Sequence, residues 1–391
     1  MEQKNQTAFS LTELGCSFAG CFISESYVQA FFLLLGLSVQ QISLYGTVCY
    51  ASALMSYVAF GLYRPRSDSY FRMFRAASFP MLLLPLTLCL APGISFRYPL
   101  ILAAAFIYQT CGAFRTSSLF SIVPTLFPRR YYGRLLARCS TIGCALGAVI
   151  SIINALFVHS HSLTSYKVLF AISACFYLVA ALAIRLMRPA ESAEQEALHA
   201  HGIRLRESFT PRSLRLLVPH LMRGIAAGGF YYFVVTSFRR FTLPASLQPL
   251  MITVGVCGSV AGVYAFGWLE KRTRTGSQIF LANAVCAACG VLTALNTSPA
   301  LFFILYFAYM LGNNLTANAV PAGVIYSTPM EDLPFISSAR MLAMSGASCI
   351  MIPVWGKLIS VLPGWVVMVA CGAVHVATGY IFKRQYTDPL K

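Results

Sequence analysis

Residues 166–187 read YKVLFAISACFYLVAALAIRLM, an apolar run whose charges, Lys167 and Arg185, sit near its ends. About 20 apolar residues wound as α-helix cross a hydrocarbon core of ~30 Å, so this stretch is long enough to span a bilayer. It must do so as a helix, because an open strand in lipid leaves backbone donors and acceptors without partners. A β-barrel would instead show weakly alternating segments of about ten residues.

Working outward from this run, comparable stretches occur at 14–37, 42–63, 76–92, 98–123, 135–158, 214–238, 249–269, 278–297, 300–323, 336–362 and 364–382. The sequence therefore predicts an all-α polytopic membrane protein with twelve transmembrane helices. Composition agrees. Of 391 residues 58% are hydrophobic and only 10% charged, and mean hydropathy is +0.69. A soluble domain carries roughly a quarter charged residues. A cytosolic enzyme, a disordered chain and a secreted disulfide scaffold are excluded on that ground. The 13 cysteines lie mostly in apolar runs, where they read as small packing residues. The polar start and the long first run with Glu25 argue against a cleavable signal peptide.

An even number of spans puts both termini on one side. Of the 29 Lys and Arg residues, 23 then fall on that side, with Arg223 and Arg340 counted among them. Four fall on the other side (Arg97, Lys167, Arg239 and Arg240), and Arg115 and Lys357 lie within spans. Cytoplasmic loops are enriched in Lys and Arg, so both termini are expected in the cytoplasm of a cell membrane, the inner membrane if the source is a bacterium. The net charge of +17 follows this topology and implies no nucleic-acid partner.

The polar stretch 188–213 divides the spans into six and six: an N-terminal six-helix bundle at 1–187, a cytoplasmic linker, and a C-terminal six-helix bundle at 214–391. The halves are faintly alike. Gly61-Leu-Tyr-Arg-Pro-Arg66 ends the second span and Gly267-Trp-Leu-Glu-Lys-Arg272 the eighth. Ala137-Arg138 with Gly143 opens the fifth span, and Ala339-Arg340 with Gly346 the eleventh. Internal symmetry of this kind is how many transporter folds are built.

Over nearly its whole length the chain resembles the major facilitator superfamily (MFS). The second-half loop, with Gly267, Leu269, Glu270, Arg272 and Arg274, is similar to that family's Gly-x-Leu-x-Asp-Arg-x-Gly-Arg loop. The first-half copy keeps Gly61 and Arg66, with Asp68 out of register. Gly36-Leu37-Ser38 with Gln41-Ile42 resembles the family's first outer turn, and Tyr132-Gly133-Arg134 with Arg138 and Ser140 the entry to the fifth span of sugar- and nucleoside-type members. Gly143-x-x-x-Gly147 lacks the proline of the antiporter signature, which disfavours a drug/proton antiporter. The resemblance implies cytoplasmic gate loops at Arg66, Asp68, Glu270 and Arg272, and a central cavity lined by spans one, four, seven and ten.

Each of those four spans is unusually polar. A charge at the bilayer centre costs about 2.5–3.5 kcal/mol on insertion scales, so one that is kept has a use or a partner. Glu25, with Gln29 one turn on, is a coupling or substrate-contact carboxylate, or else a structural one bonded to a nearby Ser or Tyr. Arg115, near Tyr108 and Gly112 with Gln109 as a weaker neighbour, pairs with Glu25, binds an anionic group, or ties helices together. Asn314 and Asn318 share one face of span ten; they address the cavity or bond a neighbouring helix. Tyr231 and Tyr232 follow Gly228-Gly229, and either stack on a ligand or anchor an interface. Gly255, Gly258 and Gly262 form a packing stripe. His159, His161, His199 and His201 read as loop histidines; no metal site, catalytic group, P-loop or cofactor is expected.

The function expected is secondary active transport of a small molecule by alternating access, ion-coupled or exchange-driven, in a monomer embedded in the lipid bilayer. A proton or cation is the coupling partner, and Arg115, Arg239 and Arg240 tilt the substrate toward an anion. The alternatives are a sensor or accessory protein on the same fold and a membrane-embedded transferase. Substrate identity and direction are not written in the sequence.

Overall fold

The computed structural model describes residues 2–62, 67–94, 96–126, 138–139, 141–143, 145–150, 152–153, 163–188, 211–232, 248–270, 272–327 and 333–386. Among these every regular element is helical. The first span consists of α1 (Glu2–Phe22) and α2 (Glu25–Leu34), and the second is α3 (Val39–Leu62). The third is α4 (Ser67–Ser78) and α5 (Leu83–Leu90), joined by a 3-10 turn at Pro80–Leu82. Pro80 accounts for that change, since proline supplies no N–H to a continuing helix. The fourth span is α6 (Arg97–Leu126) and the sixth α7 (Leu163–Arg185); the fifth is helical over 141–143 and 145–150. The second half contributes α8 (Pro211–Phe230), α9 (Gln248–Leu269), α10 (Thr275–Leu295), α11 (Pro299–Ser327), α12 (Leu333–Val361) and α13 (Gly364–Gln385).

Each of the twelve predicted spans thus coincides with described helix, and the chain is an all-α polytopic membrane protein of two six-helix bundles. Eight stretches among the described residues are long and apolar enough to cross a membrane. The more polar α6 and α8 pack among them, α6 on α3 and α4, α8 on α12 and α13. Exposed Leu44, Met55 and Val58 on α3 and Leu178, Val179 and Leu182 on α7 are what lipid-facing surfaces require. The Gly255–Gly258–Gly262 stripe lets α9 press onto α11: a Cβ at Gly258 would lie 2.5 Å from the Phe307 carbonyl oxygen.

One expectation needs correction. The first helix begins at Glu2, well before residue 14, so Glu13 is a buried helical residue. The linker at 188–213 and the loop histidines lie almost wholly outside the described residues, as does Arg66.

The cores show how the bundles meet. One apolar cluster holds Phe31, Phe32 and Tyr45 of the first half together with Tyr232, Ile352 and Trp355 of the second. At the end bearing the chain termini the described apolar residues form separate clusters. Phe9, Phe74, Leu119 and Met187 belong to the first half, and Phe266, Val320, Ile336 and Phe382 to the second. Among the described residues the core shared by both halves is apolar packing around Phe31, Tyr45, Tyr232 and Trp355, and α3 of the first half also packs against α12 of the second, Leu54 beside Gly346.

Candidate functional site

The break in the first span sets the position of Glu25. α1 stops at Phe22, Ser24 takes extended geometry (φ −60°, ψ 152°), and Glu25 opens α2. Its carboxylate thus sits at a helix start in mid-membrane, where unpaired backbone N–H groups favour negative charge. Tyr50 donates its phenol hydrogen to Glu25 Oε1 at 2.7 Å. Glu25 nevertheless remains exposed. The exposed carboxylate stands at mid-depth where helices of the two halves meet. It is close enough to act electrostatically on Tyr45, Cys49, Tyr231 and Tyr309, which brings α2, α3, the end of α8 and α11 together around one acid. Gln109 joins them at the edge, within reach of the Cys49 thiol.

Arg115 is not part of this group. Its guanidinium forms a buried ion pair with Glu13, and lies 5.4 Å from the Phe74 ring centroid. The expected partner, Glu25, is replaced by a carboxylate that the sequence places outside the first span. The Arg115–Glu13 pair ties α6 to α1 within one bundle. Arg239 and Arg240 lie outside the described residues.

Gln29 and the tyrosine pair form the seal. Gln29, 1% exposed, donates from Nε2 to the Tyr231 carbonyl at 2.7 Å, linking the two halves. Tyr231 donates its phenol hydrogen to the Ile42 carbonyl at 2.9 Å, a second link between them. Tyr232 donates to Ile352 O at 3.0 Å. Gly46 is required here: a Cβ on it would stand 2.6 Å from Tyr231 Cζ. Tyr231 and Tyr232 therefore close the end away from the termini; they are neither lipid anchors nor an open stacking surface.

Asn314 faces α9. It donates to Ser259 Oγ at 2.9 Å and to Met310 O at 3.1 Å. Asn318 donates to Asn314 O at 2.8 Å. The Asn314 amide ties α11 to α9, while that of Asn318 bonds one turn back within α11. Of the residues expected in gate loops, Arg272 stacks on Trp268 at 4.2 Å, and Glu270 is half-buried nearby. Asp68 is in the first turn of α4.

Sequence reasoning missed Arg223. Counted with the basic residues of the termini side, it lies in α8, half-buried, two turns before the Tyr231 seal. It is within electrostatic reach of Arg340 first, and then of Cys286, Tyr50 and Tyr309. The signal was available: α8 must extend to Phe230 to be a span, which buries residue 223. The helix is drawn tightly against α12 by Gly224, whose missing Cβ would meet Met344 O at 2.3 Å.

A helix break at a mid-membrane acid and two helical halves joined through a shared apolar core define a polytopic membrane protein of the two-bundle class. Residues 14–353 match the Major Facilitator Superfamily, and the chain belongs to that family. No curated protein matches it. Among solved structures it resembles the xylose transporter XylE from E. coli in its inward-open conformation, at 11% identity and TM-score 0.71 over 100% of this chain and 97% of that one. It is also similar to the E. coli fucose:proton symporter FucP, at 14% identity and TM-score 0.61 over 97% and 98%. The human organic anion transporter MFSD10 gives 13% identity and TM-score 0.61 over 97% and 99%.

Proposed function

We propose that the protein is a secondary active transporter of a small molecule, coupled to protons through Glu25. Residues 1–187 and 214–391 are the two rocking units, joined by the 188–213 linker. The observation that carries this is the exposed Glu25 carboxylate, bonded to Tyr50 at mid-depth beneath the Gln29–Tyr231 seal. An acid reached by water from one end only can take up or release a proton there, and reversal of the seal would present it to the other end. On the uneven distribution of Lys and Arg, both termini are cytoplasmic in a cell membrane, so the cavity opens inward. FucP, on the same fold, is a proton symporter, which makes this chemistry one the architecture performs.

The test is proton movement. Proteoliposomes loaded with a pH-sensitive dye are challenged with a panel of sugars, amino acids and carboxylates. The wild type is expected to acidify with at least one compound, and Glu25→Gln to lose that signal while retaining counterflow of the same compound. Unchanged acidification in Glu25→Gln would remove Glu25 as the coupling group. Absence of flux for every compound would favour a sensor on this fold.

A further inference from the structure

The extended Ser24 leaves α2 as a separate helix of 10 residues on the end of α1. α2 and α3 run antiparallel, so Gln29 lies outward of Glu25 on one, and Ile42 outward of Tyr50 on the other. Among the described residues two hydrogen-bonded ties hold α2 to α3. The inner tie is direct: Tyr50 donates to Glu25 Oε1 at 2.7 Å. The outer tie runs through a residue of the opposite bundle. The Tyr231 carbonyl accepts from Gln29 Nε2 at 2.7 Å, and the Tyr231 phenol donates to the Ile42 carbonyl at 2.9 Å. Its ring fills the notch at Gly46, midway between Ile42 and Tyr50, where a Cβ would come within 2.6 Å of Cζ. The closed seal therefore clamps α2 to α3 about one turn from the acid on α2 and two turns from its donor on α3. Withdrawing Tyr231 removes the outer tie and leaves the inner one alone.

We propose that Tyr231 couples the seal to the Glu25–Tyr50 hydrogen bond, so that a proton on Glu25 favours opening of that end and closure favours the proton's release. A phenol bonds a carboxylate more strongly than it bonds the neutral acid. Clamped helices keep that bond, and a proton weakens it, so protonation removes part of what closure gains. By linkage the two events oppose each other. Gln29 acts in the same sense: its Oε1 is buried in the closed seal with no donor among the described residues, a cost that opening relieves. The titratable groups facing Glu25 are Tyr45, Cys49 and Tyr50 of α3, Tyr231 at the end of α8 and Tyr309 of α11. Phenols and thiols stay protonated between about pH 5.5 and 7.5, so among these groups the acid is the one that titrates. Arg223, which faces Tyr50, and its neighbour Arg340 stay charged throughout. His220 and His375 are bonded to Tyr386 and Asn283.

The inference rests on the transporter reading for its physiological meaning, but the test is of conformation. Spin labels are placed at Phe96→Cys and Val361→Cys, exposed on the two bundles at the sealed end, in a cysteine-free background. The ratio of long to short distances is read between about pH 7.5 and 5.5. Acidification should raise the ratio about 5–10-fold, the difference between a hydrogen bond to a charged and to a neutral acceptor. Glu25→Gln should show no pH response, and Tyr50→Phe a response below about twofold. Tyr231→Phe and Gln29→Leu each cut one arm of the outer tie; both should be more open at every pH and respond less to acid. Mere loosening of the seal would raise the ratio but leave the response at its wild-type size. Asn314→Ala, which frees α11 from α9 and touches neither tie, should keep the full response. No response in the wild type overturns the proposal. So does a full response in Glu25→Gln, Tyr50→Phe or Tyr231→Phe, or an equal flattening in Asn314→Ala. The expected pattern without flux of any compound in proteoliposomes would leave the coupling standing and refute transport; proton-coupled flux with a flat response here would do the reverse.

Discussion

Replacing Glu13 by Gln removes one partner of a buried ion pair. Glu13 and Arg115 expose only 8% and 10% of their side chains, and Arg115 Nε has no hydrogen-bond acceptor among the described residues. The guanidinium would then be left charged in a site closed by Phe74. Stranding a buried charge costs about 3–5 kcal/mol. At roughly 2 °C per kcal/mol for a large chain, melting should fall by ~6–10 °C. Replacing both partners by apolar residues of similar bulk, Glu13→Leu with Arg115→Met, is a different matter. Neither charge is then buried, and such exchanges are often neutral or stabilising. The double variant should therefore melt within ~3 °C of wild type. A differential-scanning measurement on purified protein in one detergent, with both single variants and the double, closes the cycle. If Glu13→Gln melts with the wild type, or the double variant loses the sum of the singles, the buried pair does not exist as described.

Three further outcomes follow from the geometry. Tyr231→Phe deletes the phenol bond to Ile42, one link across the seal. A net loss of about 0.5–1.5 kcal/mol should raise the population open at that end some 2–10-fold, read as faster labelling of cysteines placed beneath it. Gly224→Val drives a side chain into Met344 O and Ala347 Cβ, so it should lower stability by at least about 1–3 kcal/mol and leave little folded protein on size-exclusion chromatography. Asn314→Ala removes the bond to Ser259 and should cost about 1 kcal/mol in melting while leaving ligand affinity within twofold. A large affinity loss there would return Asn314 to the cavity.

Residue by residue, the spans were legible because lipid imposes one demand, an unbroken apolar run, and runs such as 166–187 meet it without reference to neighbours. The acid at Glu25 was legible for the same reason: a charge at mid-run is costly enough to stand out. Its partner was one of several Ser and Tyr residues in range, and only the packing of α3 on the first span selects Tyr50. Glu13 was hidden because α1 continues through the polar stretch before residue 14, which hydropathy alone reads as a tail. Arg223 was hidden because the sorting that oriented the chain counted it with the termini side, although it falls within the 214–238 run. Asn314 and Asn318 show the limit of face arguments. Shared spacing places two amides on one side of α11, yet which neighbour that side meets is decided by the glycines of α9. The tyrosine pair could not be placed from sequence, because the close approach at Gly46 that lets Tyr231 bridge the halves joins residues 185 positions apart.

The central claim is that the two bundles share an apolar core sealed at the end away from the termini and exchange that arrangement for its opposite. Spin labels at Phe96 and Val361, 72% and 73% exposed on the two bundles at that end, measure it directly. In a cysteine-free background, Phe96→Cys with Val361→Cys should give a distance distribution dominated by one short population. A second, longer population should grow when pH is lowered or in Tyr231→Phe. A single distribution that neither shifts would contradict the account.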